Sequence, residues 1–200
     1  MKTWTKPLRL EGQYVHLIPL ESKHRNDLIK AASDGELWEL WYTSVPSEST
    51  VDSYLATALA MQASGSGLPF AVWHVESEQI IGSTRYCNID QAHRRLEIGY
   101  TWYAKTYQRS AVNAECKLLL LEYAFETLKT MAVELRTHYF NTRSREAIAR
   151  LGAKQDGILR QHRIDEHGRK RDTVVFSILD SEWPAVRFGL EERLRRGSSR

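Results

Sequence analysis

The segment Arg94–Leu128, RRLEIGYTWYAKTYQRSAVNAECKLLLLEYAFETL, changes its period halfway along. Leu96, Ile98, Tyr100 and Trp102 alternate with Glu97, Gly99 and Thr101, which predicts a strand with those four apolar residues on one face. From Ala114 the spacing becomes helical: Ala114, Leu118, Leu121, Phe125 and Leu128 recur on one side, and Leu119 and Leu120 widen the stripe into that of a deeply buried helix. Between the two lies Gln108-Arg109-Ser110-Ala111-Val112-Asn113. A helix starting there offers unpaired N–H groups at its N-terminus, a site suited to a phosphate.

Working outward, the reading predicts strands over Tyr14–Leu20, Phe70–Val75 and Gln79–Ile89 before this segment, and a helix over Glu21–Ala32. Leu37, Leu40 and Trp41 add a further helical turn or two. A second helix runs to about Met61 behind a Ser49/Asp52 capping box. After the segment come a strand over Ala132–Thr137 and a helix over Asn141–Leu151, with Asn141 as N-cap and Gly152 as its stop. Strands over Gly157–Ile164 and Arg169–Leu179 follow, turned by Asp165-Glu166-His167-Gly168, and a terminal helix begins after Ser181. Strand, crossover-length helix and strand in succession predict one parallel pair with a right-handed connection. The short polar turns elsewhere predict antiparallel pairing. The expected fold is a mixed α/β, three-layer arrangement: one mostly antiparallel sheet of about seven strands, helices on both faces, and a central parallel pair. It forms a single domain over 1–194, with 195–200 as a disordered basic tail.

The 200 residues are 42% hydrophobic and 26% charged, ordinary for a globular chain with one sizeable core. No apolar run reaches the roughly 18–20 residues of a membrane span, and the N-terminal stretch lacks the apolar segment of a secretory signal. Net charge is only +3, with arginines crowded at the C-terminus, so a nucleic-acid partner is not expected. Two cysteines, Cys87 and Cys116, on different predicted elements argue against a disulfide framework and for the cytoplasm. The seven histidines are scattered without metal-ligand spacing, so no metal is expected.

Three local sequences, with the order of elements, resemble the GNAT superfamily of acyl-CoA N-acyltransferases, and within it the branch of the ribosomal-protein N-terminal acetyltransferases (RimJ/RimL-like). They are Leu96–Trp102, the turn Gln108–Glu115, and Asn141-Thr142-Arg143-Ser144-Arg145-Glu146-Ala147-Ile148-Ala149-Arg150-Leu151-Gly152-Ala153; a weaker match is Gly168–Val174. The resemblance implies that the strand holding Leu96–Trp102 splays from its parallel neighbour and admits the pantetheine arm of acetyl-CoA. Backbone groups of Gly99, Tyr100, Thr101 and Trp102 would hold that arm, and an N–H there would polarise the thioester carbonyl. Gln108, Arg109, Ser110, Ala111, Val112 and Asn113 would cradle the pyrophosphate. Here Gln108 matches the family motif, but Ala111 stands at its glycine and Asn113 at its final glycine or alanine. Arg109 also replaces a glycine common in this branch. The implied reaction moves acetyl from acetyl-CoA to a primary amine, a protein N-terminus or a small molecule, by direct attack without an acyl-enzyme. Relatives include dimers, so a homodimer is among the assemblies the resemblance allows.

An amine must be deprotonated and the departing thiolate protonated. Glu97, opposite the Leu96/Ile98 face, is the candidate base; its structural alternative is an ion pair with Arg95 or Arg136. The Asn-x-x-Ser spacing of Asn141 and Ser144 matches that branch, and the resemblance implies Ser144 as the acid near the CoA sulfur with Asn141 bonding the pantetheine; the alternative is a plain cap and first-turn residue. Tyr139 or His138 could stand in as donor. Trp38, Trp41 and Tyr42 form either an aromatic wall for the acceptor, joined by Tyr139 and Glu97, or ordinary core. The rival function is a non-catalytic acyl-CoA-binding or partner-binding module of the same fold.

Overall fold

In the computed structural model, which describes residues 4–165 and 167–197, eight strands form one sheet. In chain order the elements are β1 (Leu10–Glu11), β2 (Val15–Pro19), α1 (Arg25–Ser33), α2 (Val51–Ala63), β3 (Leu68–His74), β4 (Gln79–Asp90), β5 (Arg95–Tyr103), α3 (Ala111–Glu122), β6 (Ala132–His138), α4 (Thr142–Ala149), β7 (Lys154–Ile164), β8 (Lys170–Leu179) and α5 (Trp183–Gly197). The strand order is β1-β2-β3-β4-β5-β6-β8-β7. All pairs are antiparallel except β5 with β6, the two strands that the α3 crossover joins.

Helices cover both faces. Leu28, Val51, Leu55 and Ala71 form a core between α1, α2 and one face. Leu96, Ile98, Leu120, Leu121, Val133, Ile178 and Trp183 form a larger one beneath α3 and α5. The three layers and the central parallel pair match the expectation.

A short β1 completes the sheet of about seven strands to eight, because the Gly12–Tyr14 turn lets Leu10 and Glu11 fold back on Leu17 and His16. Three local readings need correcting. The Ser49/Asp52 capping box does not form: Thr50 is the N-cap, and its Oγ1 accepts from the Ser47 N–H instead. The long helix is α-helical only to Glu122 and then widens into a π turn over Tyr123–Thr127. Helix α5 continues through 197, so Arg195 and Arg196, expected in a disordered tail, stand in its last turn. Glu166 of the expected hairpin turn, residues 1–3 and residues 198–200 lie outside the described residues.

The alternation in β5 is also interrupted. Arg85 of β4 faces Gly99 and Ser83 faces Trp102, so Thr84 opposes two residues, Tyr100 and Thr101. Such a bulge inserts one residue and reverses the facing of everything beyond it. Tyr100 adopts a left-handed φ of 52° at that point. Leu96 and Ile98 therefore lie in the α3-side core, whereas Trp102 lies in the α1/α2-side core. The strand expected to present one apolar face presents two.

Candidate active site

The parallel ladder between β5 and β6 lasts for three register pairs, from Arg95 with Ala132 to Glu97 with Glu134. Beyond Glu97 the strands part. A cleft of about 920 Å³ opens there, lined by Glu97–Tyr103 on one side and Leu135–His138 on the other. Its remaining walls come from the Leu37–Val45 loop, the Gln108–Ser110 turn and α4. Among the described residues that line it, eight are lysine or arginine and two are glutamate, so the cleft draws anions.

The turn into α3 is built to compensate for its missing glycines. Arg109 takes the left-handed φ of 62° that a glycine would adopt without strain, while Ala111 begins the helix without a positive φ. Ser110 is the N-cap: its Oγ accepts from the Val112 N–H at 3.3 Å and donates to the Tyr107 carbonyl at 2.6 Å. Gln108 Nε2 donates to the Tyr103 carbonyl, and Asn113 Oδ1 accepts from the Tyr103 hydroxyl. Gln108, Arg109, Ser110 and Asn113 line the cleft; Ala111 and Val112 do not, and Val112 is a core residue, 2% exposed.

Glu97 is 7% exposed and lies on the cleft wall. Its Oε2 accepts from Asn88 Nδ2 at 2.7 Å and lies 3.4 Å from Arg136 Nε. Arg136 donates instead to Glu134 at 2.7 Å, and Arg95 also pairs with Glu134, so the ion pair suggested for Glu97 is loose. Burial raises the Glu97 carboxyl above its ordinary range, partly offset by the Asn88 hydrogen bond and the Arg136 charge. A carboxylate shifted in that direction is a better proton acceptor at neutral pH.

On α4, Asn141 Oδ1 accepts from the Ser144 N–H at 3.0 Å, so Asn141 is a helix N-cap. Both residues line the cleft. His138, 5% exposed, accepts the Phe140 N–H on Nδ1, which leaves its proton on Nε2; burial first and Arg171 second lower its pKa and keep it neutral.

Tyr42 lines the cleft, but Trp41 and Tyr139 do not. Trp41, 52% exposed, packs edge-on against His138 at 5.0 Å and Tyr42 at 5.6 Å, outside the cleft lining. The strand ends at His138, and Tyr139 turns outward beneath the Arg145 guanidinium. Trp38 packs against the α1/α2-side core rather than forming the acceptor wall.

Lys117 is a cleft residue that pattern reading missed. It is 5% exposed, lines the cleft, and donates to Thr101 Oγ1 at 2.9 Å beside the bulge. Burial pushes its pKa down to about 8. The signal was available, since Lys117 falls on the apolar stripe between Ala114 and Leu121. Cys87 and Cys116 are buried free thiols with pKa values raised by burial, that of Cys116 to about 12, which makes both poor nucleophiles. No helix among the described residues is long and apolar enough to cross a membrane.

Residues 15–154 match the family model of the acetyltransferase (GNAT) domain. YdaF of Bacillus subtilis, provisionally named a ribosomal N-acetyltransferase, is 35% identical over 97 residues, 48% of this chain and 51% of that one; the chain thus matches about half of that relative's length. A GCN5-related N-acetyltransferase from Brucella melitensis superimposes with a TM-score of 0.83 at 32% identity, covering 94% of this chain and 86% of that one. The RimJ of Mycobacterium smegmatis, solved with CoA-disulfide, shares the fold at a TM-score of 0.76 and 20% identity, covering 96% of each chain.

Proposed function

Because the chain belongs to the acetyltransferase (GNAT) domain family, we propose that it transfers an acetyl group from acetyl-CoA to a primary amine by direct attack, without an acyl-enzyme. The observation that carries this reading is the early end of the β5–β6 ladder, which leaves the backbone of Gly99–Trp102 facing a cationic cleft. Bound acetyl-CoA would supply the activated acetyl thioester. The Gln108–Asn113 turn at the N-terminus of α3 and the Arg109 side chain suit its pyrophosphate. The unpaired β5 backbone suits its amides, as a sheet edge accepts an added strand.

Glu97 takes the proton of the attacking amine, directly or through a water, from the side of the sheet opposite α3. Ser144 or neutral His138, both lining the cleft, returns a proton to the thiolate. Both thiols are buried and protonated, which supports direct attack over a cysteinyl intermediate. The likeness to YdaF supports a protein N-terminus as acceptor. An α-amine, with a pKa near 7.7–8.0, also needs less help from a base than a lysine does.

Acetyl-CoA at 100 times its Kd is expected to stabilise the protein by about 2.7 kcal/mol in a thermal-shift titration. No shift at saturating acetyl-CoA would sink the reading. Glu97→Gln is expected to keep that stabilisation and to lower kcat/KM for thiol release by about 10²–10³-fold, within the range for general-base removal. Unchanged turnover would remove Glu97 from the mechanism. Full stabilisation with no thiol release across N-terminal peptides and small amines would select the non-catalytic acyl-CoA-binding module instead.

A further inference from the structure

We infer that the acceptor is an amine whose own molecule carries a carboxylate, which Arg163 and Arg171 on the β7–β8 hairpin bind while Glu97 attends the amine. This rests on the proposed acetyl transfer for the amine, but the anion site stands on its own geometry. Arg163 and Arg171 are direct cross-strand partners, so their side chains leave the sheet on the same face. Like charges so opposed are destabilising. The arginines around them are all paired: Arg160 with Asp172 at 2.7 Å, Arg169 with Asp165 at 2.7 Å, and Arg136 with Glu134 at 2.7 Å. Among the described residues neither Arg163 nor Arg171 has an ion pair, and Arg171 Nε is buried without any hydrogen-bond partner. Burial and the Arg163 charge, in that order, disfavour the protonated Arg171 guanidinium. Two guanidiniums opposed on one face, Arg171 half-buried with its Nε unused and Arg163 exposed beside it, form a receptor for a planar anion.

Register places this pair with the chemistry. Arg136 faces Val175 and His138 faces Thr173 across β6 and β8, and Arg171, Thr173 and Val175 alternate along one strand. All project on the face that also carries Glu97 and Glu134, away from the Val174/Phe176/Ile178 face buried under α3 and α5. Arg163 and Arg171 line the same cleft as Glu97, and the Arg163 charge acts on its carboxylate. The phosphate-binding turn opens α3 on the other side of the sheet, so acetyl-CoA phosphates do not account for this pair.

The test is direct binding to the intact protein, by calorimetry at low ionic strength, of matched compounds that differ only in one carboxylate. Ser-Glu-Ala-amide against Ser-Gln-Ala-amide probes a peptide side chain, and alanine against alaninamide probes a free amino acid. The charged member of one pair is expected to bind about tenfold more tightly, as a charge-assisted contact to half-buried Arg171 gives. The preference should shrink with added salt and fall to about one in Arg171→Gln and Arg163→Gln. It should persist in Arg160→Gln, whose arginine pairs outside the cleft. Both cleft variants relieve a repulsion, so their thermal stability should hold or rise, which separates lost binding from lost fold. Equal affinity within both pairs, or no binding of either charged compound at millimolar concentration, overturns the inference. Acetyl-CoA stabilisation measured on the same variants reports separately on the acetyl-transfer reading.

Discussion

Glu115→Ala is expected to lower the unfolding free energy by about 4 kcal/mol, a large part of the roughly 5–15 kcal/mol of a typical domain. Glu115 lies on α3, 5% exposed, and its carboxylate accepts three consecutive backbone N–H groups: Gln13 at 2.8 Å, Tyr14 at 2.7 Å and Val15 at 2.8 Å. Hydrogen bonds to a charged group contribute about 1.5–3 kcal/mol each. Water would re-satisfy exposed Gln13, but the Val15 N–H is buried and would be left without an acceptor. The carboxylate also explains Gly12, where a Cβ would sit 2.5 Å from Glu115 Cδ. For 200 residues the loss corresponds to roughly 8–16 °C in Tm. Glu115→Gln, which keeps one acceptor oxygen but turns an amide N–H toward other donors, should fall between. A Glu115→Ala protein within about 1 kcal/mol of the parent by urea unfolding would show that the carboxylate does not hold β2.

The opposite sign is expected for Lys117→Met. At pH 7 the folded protein keeps this buried ammonium charged, with a pKa lowered from 10.5 to about 8. A difference of that size corresponds to about 3 kcal/mol of destabilisation. Losing the hydrogen bond to Thr101 takes back about 1 kcal/mol. The variant should therefore be more stable by about 2 kcal/mol at pH 7. Below pH 8 the lysine is protonated in both states and its penalty is constant. Between pH 8 and about 10.5 the unfolded chain holds the proton and the folded chain does not, so the lysine's penalty is relieved as pH rises. The gap between variant and parent should close across that window. Buried Cys87 and Cys116 act the other way, because their unfolded thiols ionise near pH 8.5 while the folded ones stay protonated. They are common to both proteins, so the difference isolates Lys117. Urea unfolding of the pair from pH 7 to 10 provides the measurement; a gap that is constant, or a variant less stable at pH 7, would refute the assignment.

Lys117 and Glu115 also show where pattern reading stopped. The helical stripe of α3 was legible because leucines dominate it, and the parallel pair was legible because a helix of crossover length separates Leu96–Trp102 from Ala132–Thr137. A charged residue on such a stripe marks a buried partner, but the partner is a hundred residues away for Glu115 and on another element for Lys117. Alternation likewise identified β5 but could not reveal the bulge, because one inserted residue leaves Ile98 and Trp102 an even four apart while their faces part. The candidate base was legible at Glu97, since its neighbours Leu96 and Ile98 lie before the bulge. Arg163 and Arg171 were not, because their opposition depends on the register of a hairpin that itself contains an irregularity between Leu159 and Arg163.

The brief β5–β6 ladder also divides the molecule mechanically. Five strands on one side and three on the other share a seam of three register pairs, Arg95–Glu97 against Ala132–Glu134. Past that seam the two leaves are joined through side chains and the α3 crossover rather than through main-chain bonds. A ligand offering its own amides in the gap would act as a ninth strand, splicing the leaves into one stiff plate. Occupancy of the cleft would then be felt as rigidity at β7 and β8, three strands' width from the Gln108–Asn113 turn.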